Sequence, residues 1–387
     1  MKLDRMSFTV IGAGVAGLAV ATALARSGAR VRVCEQADAI REVGAGLQVT
    51  PNGAAVLAGL GLERRALDLG VRAEGIELRD HEEGARVLTL DFARRRHTNT
   101  HPYLYMHRAD LIGLLAEAAA DAGVEVELDA RVAPPGAPEG TPAPEADLVI
   151  GADGLRSQVR AALNGDTQPF FTGQVAWRAL VPVEAGAAPG AMAQLYMGPR
   201  RHVVFYPLRG GRLMNVVAVE ERHSWVAEGW NHPDDPENLQ DSFSDFHPAV
   251  RDLLARAEKV HIWGLFRHPV APRWHGEGMA ILGDAAHPTL PFLAQGANMA
   301  LEDAWVLAHS LASADDMDSA LAAYQGARIA RVKRIVEAAN RNARIYHMRH
   351  PLGRAALHTA MRLGGALAPG AALGRFDWLY GEDVTLP

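Results

Sequence analysis

Cysteine is nearly absent from this 387-residue sequence: Cys34 is the only one. That excludes an internal disulfide framework and any cysteine-built metal centre. Lysine is almost as scarce, with only Lys2, Lys259 and Lys333; the other basic residues are arginines. Lys+Arg 39 against Asp+Glu 45 leaves a net charge of −6, so no overall basic field invites nucleic acid. No stretch reaches the roughly 18 uninterrupted apolar residues of a membrane span. The run Phe8–Ala25 comes nearest, but glycines punctuate it. Met1–Met6 carries mixed charge and leads directly into that run, unlike a secretory leader, so the expected compartment is cytoplasmic and reducing. With 49% hydrophobic and 22% charged residues, the composition is that of a soluble globular protein with room for two or three domains.

The first 35 residues read as one β-turn-α-β unit. Ser7–Ile11 is a short β-branched strand, the Ala/Leu-rich stretch Leu18–Arg26 a helix ended by Gly28, and Arg30–Glu35 an alternating second strand. Helical patterns follow at Pro51–Leu69 and Ala109–Ala122, with strands at Tyr103–His107, Val124–Leu128 and Ala146–Ile150. The Pro/Gly-rich stretch Ala133–Glu145 reads as a linker without regular structure. The middle of the chain is strand-rich: Gln174–Val183, Met192–Met197, His202–Leu208, Leu213–Val219 and Val260–Phe266, with Gly210-Gly211 as a hairpin turn. One helix is expected across that sheet over Asn238–Ala257. Beyond the short strand Met279–Leu282, Ala297–Leu311 and Met317–Arg349 are helical. Leu352–Tyr380 reads as a further helical segment that packs on the protein or a partner subunit, or touches a membrane surface.

Gly12, Gly14 and Gly17 form G-x-G-x-x-G between a predicted strand and helix. In this pattern the first glycine permits the tight turn, the second admits a pyrophosphate to the backbone, and the third lets helix and strand pack closely. The helix N-terminus then offers unpaired N–H groups to the anion. Glu35 ends the second strand, where a carboxylate accepts hydrogen bonds from ribose hydroxyls. NAD and FAD both fit the motif.

Two distant stretches favour FAD. Ile150-Gly151-Ala152-Asp153-Gly154-Leu155-Arg156-Ser157 resembles the Asp-Gly motif of the class A flavoprotein aromatic hydroxylases, and Gly283-Asp284-Ala285-Ala286-His287-Pro288 resembles their Gly-Asp motif. Pro291–Asn298 is similar to the loop and helix start that lie beneath the isoalloxazine. The resemblance runs over nearly the whole chain. Within the family it points to the branch that hydroxylates salicylate, 3-hydroxybenzoate and 6-hydroxynicotinate. It implies an α/β fold: a Rossmann-like FAD-binding domain interleaved with a mostly-β substrate domain and followed by a C-terminal helical segment. The expected division is 1–73, 101–167 and 277–350 for FAD, 74–100 and 168–276 for the substrate sheet, and 351–387 for the extension.

The same resemblance implies a set of cofactor contacts. Gly12, Gly14, Ala16, Gly17, Glu35 and Arg41 are expected at the adenosine and pyrophosphate, and Arg108 and Asp284 at the ribityl chain. Gly46 belongs to the Gly44-Ala45-Gly46 loop against which the flavin moves. Asp153 belongs to a stretch that serves both FAD and the nicotinamide donor. Gly296, Ala297 and Asn298 open a helix whose positive end faces the N1–C2=O edge of the reduced ring. NADH (or NADPH) and O2 complete the expected set, the donor binding transiently because there is no second dinucleotide motif. Oxygen would be delivered from a flavin C4a-hydroperoxide.

On the substrate side, strand alternation over Arg201–Pro207 places His202, Val204 and Tyr206 on one face. The histidine and the phenol resemble the pair that contacts phenolic substrate in the 3-hydroxybenzoate branch. A histidine poised near neutral pH can take a phenolic proton, and the phenolate is a better target for electrophilic oxygen. Gln295 is expected to hydrogen-bond the substrate or the peroxide, and Tyr206 to anchor a carboxylate or hydroxyl. His287 is read as shaping its loop, and His347 and His350 have no evident carboxylate partner. Gln48 and Phe292 stand where the hydroxynicotinate enzymes carry histidines, which favours a benzoate-like ring. The expected substrate is a small phenolic aromatic acid, and the protein is expected to have no membrane span; a homodimer is one candidate assembly, the oligomeric state not being legible in the sequence. Alternatives at this level are hydroxylation or epoxidation of a larger polycyclic or quinone-precursor substrate, a non-catalytic flavin-binding redox module, and a dehydrogenase using NAD.

Overall fold

The computed structural model describes residues 1–40, 45–95, 99–136, 141–184, 190–223 and 232–386. Its first layer is a six-stranded sheet in the order His275–Gly276, Met279–Ile281, Leu148–Gly151, Ser7–Ile11, Arg30–Cys34, Glu125–Glu127. All pairings are parallel except that of the His275–Gly276 edge, with Phe8 opposite Leu148 on one side and Val31 on the other. Helices cover the sheet, so the strand Leu148–Gly151 is buried throughout and reads as a continuous apolar run. Helix Val15–Arg26 packs against helices Arg108–Asp121 and Gly296–Ser313. Its small residues allow close approach, and each fully buried leucine, such as Leu18 and Leu24, contributes about 1.5–3 kcal/mol.

The second layer is an eight-stranded sheet running His232–Asp234, Val260–Arg267, Phe170–Pro182, Leu213–Glu221, Arg201–Leu208, Met192–Gly198, Gly75–Asp80, Arg86–Asp91. Only Met192–Gly198 with Gly75–Asp80 pairs in parallel. Strand Arg201–Leu208 alternates as expected. Val203 and Phe205 pack with Leu239, Phe243, Val250 and Leu254 beneath the helices Pro236–Ser242 and Pro248–Leu254, while His202, Val204 and Tyr206 face a cavity. A three-stranded sheet, Gly46–Val49, Leu104–His107 and Val71–Arg72, joins the two layers.

Several elements differ from their sequence patterns. The helical stretch 51–69 divides into Pro51–Gly59 and Glu63–Leu69, because Gly61 at φ +64° turns the chain between them. The expected helix 238–257 is also two helices, broken ahead of Pro248, which begins the second at its N1 position. The 133–145 linker carries one minimal parallel bridge, Val132–Ala133 with Thr141–Pro142; residues 137–140 lie outside the described set. After the long helix Met317–Tyr346, helix Pro351–Leu367 lies on strand Arg86–Asp91, with Met361 against the Leu88 cluster. Among the described residues no helix is long and apolar enough to cross a membrane.

Candidate active site

The glycine turn is built as its spacing demands. Gly12 adopts φ +105°, and a Cβ there would lie 2.5 Å from the Ala152 carbonyl oxygen. A Cβ on Gly17 would lie 1.9 Å from the Gly12 carbonyl oxygen, so helix and turn could not close. Gly14 is different: a Cβ there would meet nothing within 4 Å, because the turn opens onto free space at the uncapped start of helix Val15–Arg26. Glu35 folds back beneath this turn, accepting from the Ala13 N–H at 2.7 Å and the Ala37 N–H at 3.0 Å. It braces the phosphate turn as well as offering a strand-end carboxylate.

Strands Ser7–Ile11, Leu148–Gly151 and Met279–Ile281 all end toward one cavity of about 650 Å³, reached through Gly14, Gly154 and Asp284. Ligands of open α/β sheets sit at such carboxyl strand ends. Ala16, Gly46, Arg108, Gly296 and Ala297 also line it, as do Gln295 at the start of helix Gly296–Ser313 and His202 and Tyr206 from the antiparallel sheet. The cavity is therefore shared between the nucleotide sheet and the antiparallel sheet. Gly12, Gly17, Glu35, Asp153 and Asn298 are not among the residues that line it, and Arg41 and Gly44 lie outside the described residues.

The donor set fits FAD. The helix Gly296–Ser313 begins at the cavity with no side-chain cap, so its first-turn N–H groups remain for an acceptor. Asp284 stands at the cavity wall, where burial raises its carboxyl above the usual range against the pull of His287 and Arg108. A ligand hydroxyl would satisfy such a group. Gly46, whose N–H donates to Asn215 Oδ1 at 2.7 Å, leaves the cavity edge without a side chain.

Three expected side chains are engaged in the protein itself. Gln295 is buried, and both its amide donors are engaged, with Thr50 Oγ1 at 3.1 Å and the Leu293 carbonyl at 3.3 Å; its oxygen accepts from Asn52. A buried amide must satisfy its N–H groups internally, so Gln295 has none left for substrate or peroxide. Asn298 likewise uses its side chain to tie Thr50, Gln48 and Ala294 together, leaving only its backbone for a ligand. Asp153 Oδ2 accepts from the Gln158 N–H at 2.8 Å and the Val159 N–H at 3.4 Å, which ties it to the start of helix Gln158–Asn164 beside the N-cap Ser157, while its buried Oδ1 has no hydrogen-bond partner among the described residues.

Beneath the cavity-facing helix lies a buried ionic network. Arg328 pairs with Glu302 at 2.6 Å and Asp303 at 2.7 Å, and Arg331 pairs with Glu302 at 2.8 Å. His287 hydrogen-bonds Asp303, which gives it the loop-shaping role its sequence context suggested. Asn52 links Glu302 to Gln295, so the network continues to the cavity wall.

Polar groups also gather on the antiparallel-sheet side of the cavity. Arg178 lines the cavity with its guanidinium 4.7 Å above the Trp263 ring, and its charge offsets part of the burial that raises the Tyr206 phenol. Its sequence signal is a charge inside the otherwise apolar run Val175–Ala179. Gln48 accepts from the Tyr103 hydroxyl and is also within hydrogen-bonding reach of Tyr206, whose ring lies 4.9 Å from Tyr105. His202 is buried, and its Nδ1 lies 2.7 Å from His347 Nε2. Burial, then the adjacent His347, hold the His202 imidazole well below the usual histidine range. His347 has a carboxylate neighbour after all: Glu221 Oε1 lies 3.4 Å from its Nδ1. His350 caps the following helix at Gly353.

Residues 5–339 match the family model described as "FAD binding domain". The chain is 37% identical to the 3-amino-4-hydroxybenzoate 2-monooxygenase of Streptomyces cremeus over 399 residues, covering 100% of this chain and 98% of the relative. It is 34% identical to 3-hydroxybenzoate 6-hydroxylase 1 of Aquipseudomonas alcaligenes, covering 97% of this chain and 98% of that one. Klebsiella pneumoniae HpxO, solved with FAD and uric acid, superposes with a TM-score of 0.81 at 26% identity, covering 96% of each chain. The glycine turn, the open helix start and the shared cavity thus belong to a chain of that lineage, and the protein is a member of the FAD-dependent aromatic-ring monooxygenases.

Proposed function

We propose that this protein uses NAD(P)H and O2 to hydroxylate a small phenolic aromatic acid of the hydroxybenzoate type, with NADH as the preferred donor. The observation that carries this reading is the juxtaposition, in one cavity, of the open helix start at Gly296 with Arg178, Tyr206 and His202 on the facing sheet. The names of the two curated relatives, both acting on hydroxybenzoates, support it. Bound FAD would supply the acceptance of a hydride and the activation of O2. Residues 1–73, 101–167 and 277–350 would hold it, and 74–100 with 168–276 would form the cap.

In this reading the glycine turn and the start of helix Val15–Arg26 take the pyrophosphate, Glu35 the adenosine ribose, and Arg108 and Asp284 the ribityl chain. The N–H groups of Gly296, Ala297 and Asn298 stabilise negative charge at the pyrimidine edge. Arg178, stacked on Trp263 and beside Tyr206, holds the substrate carboxylate. His202 Nε2, the ring nitrogen not taken by His347, receives the phenolic proton and so activates the ring for electrophilic attack. Apolar side chains such as Leu78, Leu195 and Val204 keep water from the reacting centre, which limits wasteful peroxide release.

The test is a panel of salicylate, 3- and 4-hydroxybenzoate, 3-amino-4-hydroxybenzoate and 6-hydroxynicotinate, assayed with NADH and with NADPH on the FAD-loaded protein. NADH consumption, peroxide and hydroxylated product are followed together. At least one benzoate is expected to stimulate NADH oxidation with product formed. Flavin binding without any aromatic stimulation would refute the reading in favour of a non-catalytic module, and turnover confined to bulkier phenols would refute the substrate class.

A further inference from the structure

A line of three titratable groups runs from the cavity wall to the protein surface. His202 Nδ1 lies 2.7 Å from His347 Nε2, and His347 Nδ1 lies 3.4 Å from Glu221 Oε1. Both imidazoles are buried, whereas the Glu221 side chain is 20% exposed and pairs with the largely exposed Arg349. The amide nitrogen of Gln174 lies 3.3 Å from His347 Nδ1, and the rings of Phe292 and Tyr346 pack on His202. Hydrogen bonds from His347, then from Arg349, hold the Glu221 carboxyl below its usual range. The three come from different elements: strand Arg201–Leu208, the end of helix Met317–Tyr346, and the end of strand Leu213–Glu221.

A buried imidazole beside a second imidazole is a poor place to store a proton, because a charge there is both desolvated and adjacent to its like. A base so placed works if the proton is passed on. We infer that His347 and Glu221 form the exit by which the substrate's phenolic proton, taken by His202, reaches solvent. The inference rests on the assignment of His202 to the phenol made above.

The transfer balances without charging either ring. At rest His202 Nδ1–H donates to His347 Nε2, and His347 Nδ1–H donates to the Glu221 carboxylate, with the Gln174 amide turned so that its oxygen and not its N–H faces His347. The phenol O–H bond breaks as His202 Nε2 gains the proton, and the phenolate keeps the electron pair. His202 gives its Nδ1 proton to His347 Nε2, His347 gives its Nδ1 proton to Glu221, and Glu221 releases it to water. One proton enters and one leaves, and both imidazoles end neutral in the opposite tautomer. The Gln174 N–H can then donate to the bare His347 Nδ1 and hold the exchanged state. The path runs backwards when product leaves as a neutral phenol, restoring the resting tautomers. His347 and Glu221 are thus positioning residues that act through His202.

The experiment uses the FAD-loaded protein with ¹⁵N-labelled histidine, the two resonances being assigned through His202→Gln and His347→Gln. Neutral Nδ1–H tautomers for both rings are expected before any aromatic acid is added. A charged ring or an Nε2–H resting tautomer at either position would overturn the relay, and this readout needs no turnover. Single-turnover hydroxylation of 3-hydroxybenzoate and 3-amino-4-hydroxybenzoate is then compared across variants. Glu221→Gln and His347→Gln are expected to slow it at least about tenfold and to raise its solvent deuterium isotope effect, with flavin reduction by NADH little changed. Added imidazole buffer should restore part of the Glu221→Gln rate, because that end of the path meets solvent. Wild-type rates and isotope effects in both variants would overturn the inference while a slow His202→Ala left the base assignment standing. A fast His202→Ala would instead strike the assignment on which it rests.

Discussion

Arg178→Gln tests the proposed anchoring of a substrate carboxylate. The guanidinium is half-buried and stacked on Trp263, so it is held in place before substrate arrives. Two opposite charges about 4 Å apart at an effective dielectric near 20 attract by about 4 kcal/mol. Desolvation of both groups offsets roughly half of this, leaving about 2 kcal/mol, close to the value of a charge-assisted hydrogen bond. That corresponds to a KM about 30-fold higher for a hydroxybenzoate. Arg178→Lys keeps the charge but loses the planar fork and the stacking, and should fall between the two. The decisive assay compares each acid with the phenol that lacks its carboxylate. The loss in kcat/KM should be confined to the acid, since only the acid has the group that Arg178 would hold. Equal losses on acid and neutral phenol would refute the anchoring role, and an unchanged KM for the acid would place the carboxylate elsewhere in the cavity.

The glycine turn separates folding from ligand access: Gly14→Ala should leave the melting temperature of the apoprotein unchanged while weakening FAD binding about tenfold in a fluorescence titration, because the added methyl projects into open space at the phosphate turn. Gly17→Ala, whose methyl collides with the Gly12 carbonyl, should instead destabilise the fold by about 1–3 kcal/mol in denaturant titration. His202→Ala should lower product formation by about two to four powers of ten, with NADH oxidation continuing in part as peroxide release. Burial alone would raise the Asp303 carboxyl, yet His287 and Arg328 hold it down at about 2 against an ordinary 3.8. Asp303 therefore contributes stability that is complete above about pH 4 and is lost as the pH falls toward 2, a change of about 2 kcal/mol readable by denaturant melts across that range. Asp303→Asn should flatten the profile there.

Much of the nucleotide half is legible in the sequence because its constraints are local. Gly12, Gly14 and Gly17 must sit where a strand becomes a helix, and the pattern says so without knowledge of the rest of the chain. The same holds for the alternation of His202, Val204 and Tyr206, since a strand's pleat fixes which side chains share a face. Alternation does not say what covers that face. His347 meets His202 only because the helix Met317–Tyr346 ends over the antiparallel sheet, and no periodicity reports a contact between residues so far apart in the chain. Gln295 illustrates the opposite failure. Its position beside the helix start was correctly expected, but its donors are satisfied by Thr50 and Leu293, and competition among buried polar groups is settled only in three dimensions. The break between the helices at 236–254 was hidden by helical composition on both sides, although Pro248 marks it in retrospect.

The ionic network beneath Gly296 has a consequence for how this protein can change over time. Arg328, Glu302 and Asp303 are fully buried, Arg331 keeps only a small exposed edge, and the four neutralise one another, so losing a buried member strands a charge, a defect that typically costs about 3–5 kcal/mol. Such sites are inherited as a block: a lineage can exchange the whole quartet for apolar residues of similar volume, but one-at-a-time drift is closed to it. The floor under helix Gly296–Ser313 is thereby insulated from the gradual substitution that is free to reshape the cavity walls above it.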